Sequence, residues 1–148
     1  MLTNNLVYID QNGKELVVCS RADGLGFDVL KKLMKPVFIL STEKNSVVSA
    51  RAAKLEVPVF YGIDNKLQML KKLAQENNFD LNKIFYVGND LNDYLAMKIC
   101  GHTACPADSH PKIKNISNIC LNSLGGKGVV REVLEQVLNI NFIETLYD

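Results

Sequence analysis

The sequence predicts an α/β domain with a doubly wound, mostly parallel sheet and a β-hairpin near its start. Three observations lead there. Short apolar runs alternate with longer stretches of helical periodicity, and right-handed crossovers return each such strand to the same sheet. Runs such as Val37-Phe-Ile-Leu40 and Ile84-Phe-Tyr-Val87 are continuously apolar, the pattern of strands buried on both faces. The alternation is broken only early, where two β-rich runs flank Gln11-Asn12-Gly13, and Asn-Gly favours a hairpin turn.

In order, the hairpin strands are expected over Leu6 to Asp10 and Lys14 to Cys19. A helix follows from Gly24 to Met34, with Leu25, Val29, Leu30 and Leu33 at helical spacing and Pro36 as its stop. Val37 to Leu40 is a strand, Ser46 to Leu55 a helix, Val57 to Tyr61 a short strand, and Asn65 to Asn77 an amphipathic helix. Ile84 to Val87 is the next buried strand, followed by a helix from Leu91 to Cys100. His102 to Cys105 and Asn118 to Leu121 are short strands. Gly128 to Leu138 is a last helix, with Val129, Val133, Leu134 and Val137 on one side. The tail Ile140 to Asp148 is apolar enough to dock on its own chain or on another subunit. No linker, repeat or low-complexity segment divides residues 1–148, which read as one domain.

Composition narrows the classes of function. Lys plus Arg number 17 against 16 acids, so a net charge of +1 offers no broad footprint for nucleic acid or a membrane surface. No apolar run reaches the roughly 18 residues of a membrane helix, and no basic-then-apolar leader opens the chain, so a reducing cytoplasm is expected. Cys19, Cys100, Cys105 and Cys120 are then expected as thiols. Cys100-Gly-His102-Thr-Ala-Cys105 has ligand-like residues, but no second pair stands at zinc-ribbon spacing. A helix end, a glycine cap and a buried strand account for it.

Polar groups gather where strands lead into helices, the edge at which open parallel sheets bind ligands. Ser41 and Thr42 follow the Val37–Leu40 run, with hydroxyls and amides suited to a phosphate or simply to helix capping. Lys66 falls in the first turn of its helix, where it opposes the helix dipole, so it suits an anion as well as plain solvent. After Val87 comes Gly88-Asn89-Asp90-Leu-Asn-Asp93. Asn89, Asp90 and Asp93 are oxygen donors suited to Mg2+, and the repulsion of two nearby acids is relieved by a cation or by Lys66.

A hydroxyl, a lysine and an acidic loop after successive strands resemble the haloacid dehalogenase superfamily of phosphatases. The nearer resemblance is to its small capless members, the 3-deoxy-manno-octulosonate-8-phosphate phosphatases and the phosphatase-like domains joined to acylneuraminate cytidylyltransferases. Arg21-Ala-Asp23-Gly24-Leu-Gly26, Asn65-Lys66-Leu67, Tyr86 to Asp93, Ala107-Asp108-Ser-His110-Pro111 and Gly125-Gly-Lys-Gly128-Val-Val-Arg131-Glu132 are the stretches that convey it. The resemblance implies a Rossmann-like fold and a Mg2+-dependent phosphatase for a phosphorylated sugar acid. It implies that Ser41 binds the phosphoryl group, that Lys66 neutralises it and the nucleophile, and that Asn89 and Asp90 hold Mg2+ with Asp93 in support. It further implies that Arg21, Asp23 and Gly24, in a loop, together with Thr42 and Arg131 lie near substrate, and that a neighbour in a homotetramer closes the site.

Two departures qualify that expectation. The superfamily's nucleophile lies in an Asp-x-Asp-Gly motif ending the first strand, and no Asp-x-Asp occurs in these 148 residues. Either the motif lies upstream of Met1, or the domain assembles or binds without chemistry, as a partner of a cytidylyltransferase or as an anion-binding protein. Asn89 stands where the phosphatases usually carry an aspartate, and its neutral amide should bind Mg2+ more weakly.

Overall fold

The computed structural model describes residues 1–148. Helices and parallel strands alternate through most of the chain, after an N-terminal hairpin of β1 (Tyr8–Ile9) and β2 (Glu15–Leu16). The hairpin turns at Asp10 to Gly13, with Gly13 at φ 77° and Asp10 Oδ1 accepting the Asn12 and Lys14 amides. Its ladder is much shorter than the apolar runs suggest, because Leu6, Val7, Tyr8, Ile9, Leu16 and Val18 find no core to cover them and stay exposed.

Helix α1 (Arg21–Lys32) begins three residues before the expected start, since Ser20 caps it by accepting the Ala22 amide at 3.1 Å. Arg21, Asp23 and Gly24 therefore lie in a first helical turn, not in a loop. The buried stripe also rotates from the expected one. Asp23, Gly26, Phe27 and Val29 face inward, whereas Leu25 and Leu33 are exposed. β3 (Ile39–Leu40) pairs in parallel with β4 (Val59–Phe60), and α2 (Val47–Leu55) connects them. α3 (Lys66–Glu76) follows, capped by Asn65, which accepts the Gln68 amide.

β5 (Phe85–Val87), β6 (His102–Cys105) and β7 (Ile119–Cys120) form a second parallel ladder in that order. Between β5 and β6 the expected ten-residue helix is a 3-10 turn, Leu91–Asp93, running into the short α4 (Tyr94–Met97). Between β6 and β7 stands α5 (Pro111–Ile116), too short for its periodicity to be read from sequence, with His110 as cap and Pro111 in its first turn. α6 (Val129–Glu132) continues as a π-helical turn over Val133–Val137.

Alternation along β5 and β6 shows that the sheet is covered on both faces. Tyr86 and Cys105 point into a cluster with Leu70, Ala96, Met97 and Ile113, under α3, α4 and α5. Ala104, with Phe85 and Val87 beside it, points the other way, onto Val129 and Val133 of the C-terminal helical segment. A third cluster joins Phe27 and Val29 of α1 to Val130, Leu134 and Phe142. Phe142 opens α7 (Phe142–Tyr147), so the tail docks on its own chain.

The expected α/β fold with parallel strands is present, and its parallel strands fall in two ladders, β3–β4 and β5–β6–β7, with no hydrogen-bonded pairing joining β3 to β5. Having one neighbour instead of two, β3 is half-buried and only two residues long, where a strand buried on both faces was expected. Met1 packs against the cluster around Val129 and Leu2 against the one around Phe27, so the chain start runs between them without adding a strand. No helix is long and apolar enough to cross a membrane.

Candidate active site

Because β3, β4, β5 and β6 run parallel within their ladders, Ser41, Gly88 and Pro106 all follow the carboxyl ends of strands. The loop after β5 is the most highly organised. Asp93 is buried, and its two oxygens accept four hydrogen bonds. Oδ1 takes the Lys66 ammonium at 2.6 Å and the Tyr86 hydroxyl at 2.9 Å. Oδ2 takes the amides of Asn89 at 2.9 Å and Asp90 at 3.3 Å. Burial opposes ionisation of this carboxyl, but Lys66 and the other donors outweigh it and hold Asp93 below the usual carboxylate range. The Tyr86 hydroxyl is pushed up, chiefly by burial and then by the Asp93 charge.

Gly88 makes this packing possible. A Cβ there would stand 2.7 Å from both Asp93 Cβ and Met97 Sδ, closer than atoms can pack. The turn that follows is locked reciprocally. Asp90 accepts the Leu91 amide at 2.7 Å and completes a capping box with Asp93.

The three expected loops meet as follows. Lys66 reaches the acidic loop through Asp93, and Thr42 reaches it through Asn92, whose Nδ2 donates to the Thr42 hydroxyl at 2.9 Å. Ser41 lies beside Thr42, with its Oγ accepting the Glu43 amide and its own amide donating to Phe60. Of the two partners expected to relieve the paired acids, a cation or Lys66, Asp93 has Lys66, and both of its oxygens are spent on Lys66, Tyr86 and the loop amides.

Asp23 and Arg131, expected near substrate, make their hydrogen bonds to the C-terminal helical segment. The Asp23 side chain is fully buried, and its Oδ1 accepts the Val130 amide at 2.7 Å and the Arg131 amide at 3.4 Å, capping α6. Burial raises its pKa, against the pull of those amides. The Arg131 guanidinium forks onto Glu135 one turn along and lies over the Phe142 ring. Arg21 is exposed at the start of α1. Cys100 bonds the Ala96 carbonyl, and the exposed His102 ring stacks on Phe85, so the ligand-like run does not converge.

Beside the acidic loop opens a cavity of about 220 Å3 with no hydrophobic residue in its wall. Asn89 and Asp90 form one side, and Asp108 and His110, from the loop after β6, form another. Thr3, Asn5 and Gly125 complete it. His110 donates its amide to the Asn89 carbonyl at 3.0 Å, and Asp108 Oδ1 accepts the Gly125 amide at 2.9 Å, which ties the walls together. Sequence reasoning assigned no role to Asp108 or His110. The carboxyl-end rule applied to β6 would have pointed to both.

The donor set at this cavity fits a hydrated magnesium ion. Asn89 offers an amide oxygen and Asp90 a carboxylate, both partly exposed, and Mg2+ is commonly held by one or two protein oxygens with waters filling the rest. No three His, Cys, Asp or Glu side chains gather closely enough to enclose an ion. The arrangement therefore suits a loosely held, solvated ion better than a dehydrated cage.

The chain is 31% identical over 139 residues to the 3-deoxy-D-manno-octulosonate 8-phosphate phosphatase KdsC of Salmonella typhi, covering 93% of this chain and 74% of that protein. It is 27% identical over 141 residues to the N-acylneuraminate cytidylyltransferase A of Danio rerio, covering 93% of this chain but 32% of that protein. Among solved structures, a protein from Streptomyces avermitilis described as a HAD family hydrolase superposes with a TM-score of 0.91 at 37% identity, over 95% of this chain and 86% of that one. The Moraxella catarrhalis 3-deoxy-D-manno-octulosonate 8-phosphate phosphatase, solved with magnesium, phosphate and the sugar acid, superposes with a TM-score of 0.89 at 27% identity, over 94% of this chain and 80% of that one. The haloacid dehalogenase-like hydrolase pattern matches residues 8–133, and the chain belongs to that family.

Proposed function

We propose that the site binds the phosphoryl group of a phosphorylated sugar acid, of the 3-deoxy-octulosonate or acylneuraminate type, together with Mg2+. The supporting observation is the way one buried carboxylate, Asp93, holds the Lys66 ammonium and the Asn89-Asp90 loop around itself. Lys66 keeps hydrogens beyond the one given to Asp93, so it can neutralise phosphoryl oxygens while remaining paired. The Ser41 and Thr42 loop, tethered through Asn92, supplies hydroxyl donors. Mg2+, when held by Asn89 and Asp90, would supply further charge neutralisation at the same oxygens. Positive groups aimed at a transferring phosphoryl group are the main protein contribution to such chemistry.

Covalent phosphoryl transfer also needs a nucleophile, and these 148 residues contain no Asp-x-Asp. The reading is therefore that the 148-residue chain binds inorganic phosphate with Mg2+ yet releases little or no phosphate from 3-deoxy-octulosonate 8-phosphate. Calorimetric titration with phosphate, alongside a phosphate-release assay on the same preparation, tests it. Absence of phosphate binding would overturn the site, and robust release would overturn the account of the nucleophile.

A specific observation also favours assembly. The accessible surface is 9042 Å2 for a 16.5 kDa chain, whereas a compact monomer of that mass exposes roughly 7,500 Å2. Much of the exposed apolar surface is the hairpin, with Leu6 at 63%, Tyr8 at 62% and Ile9 at 64% exposure. We assign the hairpin as the contact of a homo-oligomer, a tetramer by resemblance, in which a neighbour adjoins the site. The same surface serves the rival reading, a non-catalytic partner of a sugar-nucleotide cytidylyltransferase, which would show no Mg2+ dependence.

A further inference from the structure

We propose that His110 is a specificity-determining residue. Locked as an Nε2–H donor, it reads one hydroxyl oxygen of a vicinal diol on the organic part of the ligand, while Asp108 accepts from the neighbouring hydroxyl. The inference rests on the phosphoester reading above and extends it from the phosphoryl group to the group it esterifies.

The argument begins with the imidazole's own bonds. His110 Nδ1 accepts the Lys112 amide at 3.1 Å and so caps α5. An acceptor at Nδ1 assigns the proton of the neutral ring to Nε2. His110 lines the polar cavity, and the one remaining polar atom of its ring is a donor. Its position is set from two sides, by the α5 cap and by the amide bond from His110 to the Asn89 carbonyl. That backbone bond ties residue 110 to the loop expected to hold the cation.

Asp108 provides the complementary chemistry. Its Oδ1 is occupied by the Gly125 amide, and the carboxylate retains further acceptor sites. A donor and an acceptor on one wall match two adjacent hydroxyls, since each hydroxyl can both donate and accept. Away from the cation expected at Asn89 and Asp90, a ligand carboxylate would meet the Asp108 charge and be repelled. The absence of any apolar lining residue likewise disfavours an alkyl or aryl ester.

Capping alone would also explain His110, and two substitutions separate the roles. In His110→Asn the amide oxygen takes the place of Nδ1, keeping the α5 cap but removing the Nε2 donor. In His110→Gln the terminal amide nitrogen reaches where Nε2 stands, keeping the donor but removing the cap. The full chain is titrated calorimetrically with Mg2+ present, once with 3-deoxy-octulosonate and once with inorganic phosphate. The expected result is that His110→Asn binds the sugar acid about ten-fold more weakly, the worth of one good hydrogen bond. Its phosphate binding and melting temperature stay at the parent values. His110→Gln should retain sugar affinity and melt lower.

Equal sugar affinity in the parent and in His110→Asn would overturn the proposal. A parent that binds phosphate but not the sugar acid would overturn it too, while leaving the phosphoester site standing. Sugar binding without phosphate binding would overturn the phosphoester site and with it this extension, and binding of neither would remove both.

Discussion

The Lys66 ammonium stands 2.6 Å from the Asp93 carboxylate, with the two side chains only 9% and 4% exposed. This pair joins the start of α3 to the loop after β5, whose Asn89 and Asp90 amides bond the same carboxylate. Breaking a buried pair from one side leaves a charge without a partner. Lys66→Met should therefore cost about 3–5 kcal/mol of unfolding free energy. Adding Asp93→Leu to that variant should recover part of the loss. Denaturant unfolding of the parent, the single and the double variant measures both, and a single variant as stable as the parent would contradict the assignment.

Acid should weaken the fold through the same carboxyl. Asp93 is held below the usual carboxylate value of about 3.9, so the unfolded chain binds its proton more readily than the folded one. Its contribution is present above that value and is lost as pH falls through the lower, folded pKa. Asp23 runs the other way, because burial raises its pKa. Its contribution is full below about 3.9 and is lost as pH rises through the raised value. Asp23→Asn keeps an oxygen for the Val130 amide while removing the buried charge, so at pH 7 it should match or exceed the parent in stability. Urea midpoints across pH 3 to 7 for the parent and for Asp23→Asn check the two signs.

Gly88 tolerates no side chain. With a Cβ 2.7 Å from Asp93 Cβ and Met97 Sδ, Gly88→Ala must push the acidic loop away from α4. A loss of about 1–3 kcal/mol is expected, together with weakened phosphate binding as Asn89 and Asp90 shift. A variant with unchanged unfolding and unchanged phosphate affinity would show that the loop has more room than the structure gives it.

Metal affinity should respond to charge at position 89. Asn89→Asp adds a carboxylate beside Asp90, and Mg2+ binding should tighten on the order of ten-fold. Asp90→Asn should abolish measurable binding. Titration of each variant with Mg2+ alone provides the comparison. If Asn89→Asp bound no better than the parent, the ion would have to sit elsewhere.

Placing a charge on the hairpin should disrupt assembly. Ile9 is 64% exposed on β1, and Ile9→Lys should shift the light-scattering mass from an oligomer to a monomer without lowering the intrinsic stability of the chain. A parent that is already monomeric at tens of micromolar would remove the assignment.

The alternation of apolar runs and helical stretches was enough to determine the α/β class, most of the elements and the edge where polar loops emerge. Those features follow from local periodicity and from the geometry of parallel crossovers. Strand length was not determined that way. Val37 to Leu40 has the composition of a doubly buried strand, yet β3 extends over two residues because it has one hydrogen-bonded neighbour.

Ser41, Lys66 and the Asn89-Asp90 loop could be singled out because chemistry follows residue type at strand ends. For Asp93 the choice between a cation and Lys66 stayed open, and what Asp23 and His110 do could not be read at all, since each role depends on a partner distant in sequence. Asp93 is absorbed by Lys66, 27 residues away, and Asp23 by Val130, 107 residues away. His110 gains its place by bonding to Asn89 across the strand ends. A carboxylate or an imidazole is the same letter whether it faces water, an amide or a ligand. Only the folded chain, by choosing which donors reach it, decides among them.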